Sequence, residues 1–358
     1  MPALIAQFAR AVRDAAGAGR ALRLRGGGSK DFYGQSLVGE VLDTRAYAGI
    51  VEYDPTELVV TARCGTPLVE LEAALAAKRQ MLACECPHFG LQASVGGAVA
   101  AGLSGPGRQA AGSVRDFVLG AKLLDGRADV LDFGGRVMKN VAGYDVSRLL
   151  AGSLGTLGLI LEVSLKTLPM PVATATLLFE LPEDKALHTL NQWGGKPLPV
   201  SASTWCDGQL RVRLSGAAAA VRAARETLGG ERVEDEQACA FWLGLREQTD
   251  VFFTAGDAPL WRLSLPSTAP SSGLAGDVLI EWGGALRWLR SGADGVSVRA
   301  AAAKAGGHAT LFRGSAELKA GAGVFQALPD AMMRIHRKLK AQFDPAGVFN
   351  PGRMYVDL

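Results

Sequence analysis

"RLRGGGSKDFYG" occupies residues 23–34 of the chain. Just upstream, "ALRLR" alternates apolar and charged residues like a strand and stops at Gly26, Gly27 and Gly28. Arg25 and Lys30 flank this bare backbone. Two readings compete. One is a flexible turn, which explains most isolated glycine triplets. The other is an anion cradle, in which backbone amides approach a charged ligand that side chains would hold off.

The rest of the chain bears on the choice. Its 358 residues exceed one ordinary domain, so two lobes are expected. Hydrophobic residues make up 48% and charged residues 20%, a composition for a sizeable core and against disorder. A net charge of +3 is too small to point to nucleic acid or an anionic membrane. In the opening segment, Arg10 and Arg13 interrupt any secretory apolar region, while Leu4, Ile5, Phe8 and Val12 share one helical face. The longest bland run, "LQASVGGAVAAGLSG", is short and glycine-rich, so no transmembrane segment is expected. A cytoplasmic protein follows, with contact to the inner membrane only through partners. The cysteines at 64, 84, 86, 206 and 239 are odd in number and form no CxxC pair. That argues against a disulfide framework or a zinc site, and "CEC" at 84–86 reads as two reduced thiols.

Along the first half, "ELVVTARCG" reads as a strand and "TPLVELEAALAAK" as a helix, with Thr66 as N-cap and Pro67 at its first position. "GSVRDFVLGAKLLDGRADVLDFGG" reads as two strands joined at "DG", and "LGLILEVSLKTL" as another strand. After "PMP" at 169–171 the texture changes: alanine-rich stretches alternate with short strands such as "QLRVRLS" and "LWRLSL". A boundary is placed near Pro171. A last helix carries Met332, Ile335 and Leu339 on its apolar face and stops at Asp344-Pro345.

Glycine recurs in "RGGGS" (25–29), "ASVGGAVAAGLSGPG" (93–107), "FGGRVMKNVAGYD" (133–145) and "GSLGTLGLI" (152–160). The last has GxxGxxG spacing and runs into a strand, whereas a Rossmann fingerprint needs a strand before its glycines and a helix after them. No GxxxxGK[ST] phosphate loop is present. The clusters therefore point to an anion-binding domain of another kind.

"RGGGS", "SVGGAVAAGLSGPGRQAAGSVRDFVLGAKLLDG", "KNVAGYDVSRLLAGSLGTLGLILEVSLKTLP" and the C-terminal "FDPAGVFNPGRM" carry a resemblance. The chain is similar to the PCMH-type FAD-binding proteins of the vanillyl-alcohol-oxidase family, and among them to flavin-carrying subunits of glycolate-oxidising complexes. The likeness is dense in the first half and in the tail, and only an outline over roughly 173–300. It implies an α+β fold of two lobes: an FAD-binding domain over 1–171, a smaller α+β cap over 172–328, and a helix and tail over 329–358 returning to the flavin.

The resemblance assigns Arg25, Gly26, Gly27, Gly28, Ser29 and Lys30 to the FAD pyrophosphate. It assigns Ser94, Val95, Gly96 and Gly97 to a second pyrophosphate contact. Gly102 and Ser104 run toward the isoalloxazine, Gly155, Gly158 and Ile160 lie beside the ribose and adenine, and Asn350 to Gly352 return to the flavin edge. Tyr144 and Asp145 brace the adenine-side loop. Many relatives carry a covalently linked histidine just after the first glycine loop. Ser29 stands there, so FAD is expected to be non-covalent.

The pattern breaks in the second lobe. Hydroxy-acid dehydrogenases of this family carry H-x-G-D-G-N-x-H, a metal motif that polarises the substrate hydroxyl. Here the matching stretch is "AGGHATLFRG", with His308 alone, and "SAELKAGAGVF" downstream has no Glu-His pair. His308 and Arg262, the latter able to grip a substrate carboxylate, are the catalytic candidates; their ordinary readings are a polar strand-edge residue and a surface ion pair. No metal site is expected. The resemblance implies partners: a homologous catalytic flavin subunit and an iron–sulfur subunit, with a small 2-hydroxy acid as substrate. The docking surfaces expected are the second lobe and a basic helix face of Arg334, Arg337, Lys338 and Lys340. The competing reading is a stand-alone dehydrogenase or oxidase of a small 2-hydroxy acid, sugar lactone or alcohol.

Overall fold

A computed structural model describes residues 1–135 and 145–358. The chain forms two compact units. The first contains Met1–Leu103, Ser113–Pro169 and Ala327–Leu358; the second contains Ser104–Gly112 and Met170–Gln326. The glycine-rich run 93–107 is thus divided after Leu103, a division that its composition does not signal.

The first unit is built on a five-stranded antiparallel sheet, in the order Ile50–Asp54, Val59–Arg63, Leu159–Lys166, Val118–Leu124, Val130–Gly134. Its central strands are buried at nearly every position, as in a sheet covered on both faces. The hairpin expected at "DG" is present, with Leu124 opposite Val130. Asp125 closes its turn by accepting from the amides of Arg127 (2.9 Å) and Asp129 (2.8 Å).

Strand Leu22–Arg25 pairs in parallel with Glu40–Asp43 on one side and with Phe349 on the other. Tail and first glycine loop therefore share one small ribbon. Helix Pro2–Gly17 buries Phe8, Val12 and Ala15 against Leu22, Tyr47, Leu161, Val348 and Phe349, with Leu4 and Ile5 at the rim. Its apolar stripe faces inward as its periodicity predicts.

Two local expectations are corrected. Helix Leu68–Ala76 has Pro67 at its N-cap, and Thr66 does not cap it. The Thr66 hydroxyl is engaged with the amide (2.9 Å) and carbonyl (3.1 Å) of Gly49, and the Leu68 amide donates to Ala93 O instead. Helix Asp330–Phe343 turns its apolar residues the other way: Met332 and Ile335 are 46% and 52% exposed, and Lys340 is its one buried residue. Lys340 is therefore not part of a basic outward face. That face retains Arg334, Arg337 and Lys338, with Arg337 paired to Asp357 at 2.7 Å.

The second unit is an eight-stranded antiparallel sheet, ordered Glu231–Val233, Ala173–Glu180, Gln209–Gly216, Val200–Cys206, Asp277–Glu281, Leu286–Arg290, Leu260–Ser264, His308–Arg313. Alternation along each strand separates two faces. One face packs Leu177, Val212 and Leu214 against Ala186, Leu190, Val221 and Ala224 of helices Glu183–Gly194 and Ala218–Leu228. Further along it packs Trp261, Leu263 and Leu311 against Val298 and Ala302 of helix Gly295–Lys304. The alanine-rich stretches are the helices Ala218–Leu228 and Gly295–Lys304, as the helix propensity of alanine favours. No helix among the described residues is long and apolar enough to cross a membrane.

Candidate functional site

The first glycine loop leaves strand Leu22–Arg25 and presses onto the 92–94 segment. A β-carbon on Gly26 would sit 2.1 Å from Ser94 Oγ, and one on Gly27 would sit 1.5 Å from the Gln92 carbonyl oxygen. Protein packing alone therefore demands glycine there. The same loop lines an open cleft of about 570 Å³, solvent at its mouth included, with Ser29, Lys30, Asp31, Ser94, Gly97, Leu154, Asn350 and Arg353.

A second cleft of about 400 Å³ adjoins it, lined by Thr44, Cys64, Gly96, Gly155, Gly158 and Ile160. The two share Leu24, Arg25, Gly26, Gly97, Ala100, Leu154 and Asn350 as walls. Helix Val95–Ala101 supplies one side. Ser94 caps it, its Oγ accepting from the Gly97 amide at 3.3 Å. Gly97 and Ala100, three residues apart, face the cleft and are partly exposed.

Charge at the cleft is unbalanced. Arg25, Lys30 and Arg353 line it against the single carboxylate of Asp31. Asp31 Oδ2 accepts from Arg25 Nε at 3.1 Å and from Arg23. Lys30 Nζ donates to His88 O (3.1 Å) and Ser29 Oγ (3.3 Å). Burial pulls the Arg353 guanidinium down to about 10, which leaves it cationic at neutral pH. A glycine cradle with excess cations suits a diphosphate.

The tail completes the cleft. Asn350 Oδ1 accepts from the Leu24 amide (2.9 Å), and its Nδ2 donates to Leu154 O (2.7 Å). Its amide side chain thus ties the strand before the first glycine loop to the loop of 152–158. Asp31, Ala100, Leu154 and Arg353 line the clefts without having been singled out in the sequence, and Lys340, read there as part of an outward basic face, supports the tail instead. Arg353 lies one residue after "NPG" in the quoted tail, which gave it no role.

Of the sequence candidates, Arg25, Gly26, Gly27, Gly28, Ser29, Lys30, Ser94, Gly96, Gly97, Gly155, Gly158, Ile160 and Asn350 line the two clefts. Three do not. Val95 is buried on the far side of its helix, with Leu68, Phe117 and Leu165, because helical period sends it into the core. Gly102 ends that helix in a left-handed cap and lies against Gly152. Ser104 belongs to the second unit. Asp145 caps the turn Val146–Leu149 through the Arg148 amide (3.3 Å), whereas Tyr144 lies outside the described residues. Cys84 and Cys86 are buried free thiols with sulfurs 3.5 Å apart.

In the second unit, Arg262 and His308 lie on one sheet face, since Arg262 pairs with Thr310 and Ser264 with His308. The Arg262 guanidinium sits 5.3 Å and that of Arg108 4.2 Å from the Trp282 ring centre. Burial, and then the charge of Arg262, hold the His308 imidazole below the ordinary histidine value. It is neutral at physiological pH, with a cation beside it.

Comparison with known proteins gives this geometry its family. The family profile described as FAD binding domain matches residues 1–134. The chain is 51% identical to glycolate oxidase subunit GlcE of Escherichia coli (strain K12) over 337 residues, 94% of this chain and 93% of that protein. It is 32% identical to glycolate oxidase subunit GlcD of Bacillus subtilis (strain 168) over 129 residues, 36% of this chain and 27% of that protein. Among solved structures, an alkyldihydroxyacetonephosphate synthase shares the fold with a TM-score of 0.65 at 16% identity, over 96% of this chain and 73% of that one. With half its residues shared across nearly its whole length, the chain belongs to the FAD-binding family of glycolate oxidase subunit GlcE, with the two-lobed α+β PCMH-type fold.

Proposed function

We propose that this chain is the FAD-carrying subunit of a complex that oxidises glycolate to glyoxylate. The observation that carries the reading is the 51% identity to GlcE, which spans the second unit as well as the clefts. In this reading 1–171 with 329–358 form the FAD domain and 172–328 the cap. When bound, FAD supplies the acceptor for a hydride leaving the hydroxyl-bearing carbon. The chain's own residues bind and orient it. The bare backbone of 26–28 and the start of helix Val95–Ala101 meet the diphosphate, and Arg25, Lys30 and Arg353 offset its charge. Gly155, Gly158 and Ile160 flank the nucleoside end. Ser29 has no group that forms the histidyl link of many relatives, so FAD is held non-covalently.

The second unit supports an accessory role. His308 has Arg262 as the charged neighbour that acts on it, and a guanidinium repels a metal ion at that position. Turnover then belongs to a homologous catalytic flavin subunit, with electrons passed to an iron–sulfur subunit. The complex sits in the cytoplasm and meets the inner membrane through its partners. The test is anaerobic addition of glycolate to the purified chain while its flavin absorbance is followed. The flavin is expected to stay oxidised until the partner subunits are added. Prompt bleaching in isolation, lost in Arg262→Ala or His308→Ala, would make this chain itself the catalyst.

A further inference from the structure

Arg353 is 6% exposed and lies under the loop that follows the first glycines. Its guanidinium donates to the backbone oxygens of Asp31 (2.8 Å), Tyr33 and Gln35, with Lys30 O at 3.5 Å. Its own carbonyl accepts from the Gln35 amide at 2.9 Å. Within this stretch the loop has two short-range turns, Asp31 N to Gly28 O (3.1 Å) and Tyr33 N to Lys30 O (3.0 Å). Side chains add anchors at the near end, Lys30 to His88 O, Asp31 to Arg23 and Arg25, and Phe32 against the Phe89 ring, while the backbone oxygens of residues 31, 33 and 35 turn to Arg353. Gly34 has φ +96°, and a β-carbon on it would lie 3.0 Å from Arg353 O and 3.2 Å from Cζ. The loop is therefore shaped to admit this one side chain.

The anchor beneath Arg353 is itself fixed. The Arg353 amide donates to Asn350 O (3.2 Å), and Asn350 is held by Leu24 and Leu154. Arg353 is also among the residues that line the cleft, with Gly28, Ser29 and Lys30. A planar fork with five donors can bridge several carbonyls at once and still leave its charge beside an anion.

We propose that Arg353 is a positioning residue of the cofactor site, which holds loop 28–35 in its diphosphate-binding form from the C-terminal tail. The proposal rests on the reading that the clefts hold FAD.

The test titrates flavin-free full-length protein with FAD and follows flavin fluorescence. Arg353→Met is expected to weaken FAD binding about tenfold or more, a loss of about 1.4 kcal/mol at tenfold, with the apoprotein still folding cooperatively. Arg353→Lys is expected to weaken it as well, because one ammonium cannot reach the oxygens of residues 31, 33 and 35 together. Gly34→Ala should do the same by pushing the guanidinium aside. Low-millimolar guanidinium should restore part of the affinity in Arg353→Ala. A control in the core, Leu75→Ala, should lower Tm and leave FAD affinity unchanged, which separates positioning from general stability. If Arg353→Met does not fold, Arg353→Lys and Gly34→Ala decide. FAD affinity within about twofold of wild type in those two variants would overturn the proposal. Failure of the wild-type chain to bind FAD would instead overturn the cofactor reading, and the proposal with it.

Discussion

A β-carbon built on Gly27 lies 1.5 Å from the backbone oxygen of Gln92. No rotamer relieves that overlap, because the obstacle is main chain. Gly27→Ala is therefore expected to displace the loop nearly as far as Gly27→Val does. Both should lose FAD while far-UV circular dichroism stays close to wild type. Full flavin content in Gly27→Ala would show that the loop and the 92–94 segment separate freely, and would remove this loop from the cofactor site.

Lys340 holds the tail with all three of its protons. Its Nζ donates to Asp344 Oδ2 (2.7 Å), Thr156 O (2.8 Å) and Phe349 O (2.7 Å). Asp344 in turn accepts from the amides of Val348 (2.9 Å) and Phe349 (2.7 Å). Lys340→Met leaves that buried carboxylate without its cation, a loss of about 3 kcal/mol or more. Chemical denaturation should show the midpoint falling with an unchanged slope. A midpoint unmoved by the change would mean that Asp344 finds another partner.

Much of the first unit could be read in advance, and the reasons are local. Strand Leu22–Arg25 shows a two-residue period and ends at glycines, and the hairpin Val118–Gly134 carries its own turn signal. The family resemblance singled out Asn350, and the structure places it on the wall of both clefts. Arg353 could not be read, because its partners lie some 320 residues away and are backbone oxygens, which leave no side-chain signature. The orientation of helix Asp330–Phe343 was misread for a related reason. A helical wheel assigns lysine outward, whereas Lys340 goes inward because carbonyls from two other segments and one carboxylate await it. Val95 followed the motif's reputation rather than its own helical period, which places it in the core.

His308 offers a test of the second unit by pH. Its imidazole is held below the ordinary histidine value by burial first and by Arg262 second. The folded state therefore binds fewer protons than the unfolded chain as pH falls below the ordinary value. Its contribution to stability is present above that range and lost as pH drops through the folded value. Arg262→Gln should raise the His308 midpoint in an NMR titration without bringing it fully to the ordinary value, since burial remains. An unchanged midpoint would place the two side chains too far apart to share a site.

The linkage of the flavin is checked by acid precipitation. Ser29 lines the cleft where a histidine would form a covalent bond, so the yellow colour is expected in the supernatant. Colour retained in the washed pellet would mean that another residue attaches the flavin.

Gly97 offers the most direct test of where FAD binds. The nearest protein atom to a β-carbon there is Ser94 Oγ at 3.1 Å, and the residue faces both clefts. Valine at this position meets no protein backbone, and the Ser94 hydroxyl has to give by a few tenths of an ångström to admit it. The measurement is a calorimetric titration of flavin-free wild-type and Gly97→Val protein with FAD, alongside the thermal melts of both apoproteins. A saturable one-to-one site is expected in the wild type, lost or weakened at least about 100-fold in Gly97→Val, with apoprotein Tm values within a few degrees. Equal FAD affinity in the two proteins would contradict it and place the cofactor elsewhere.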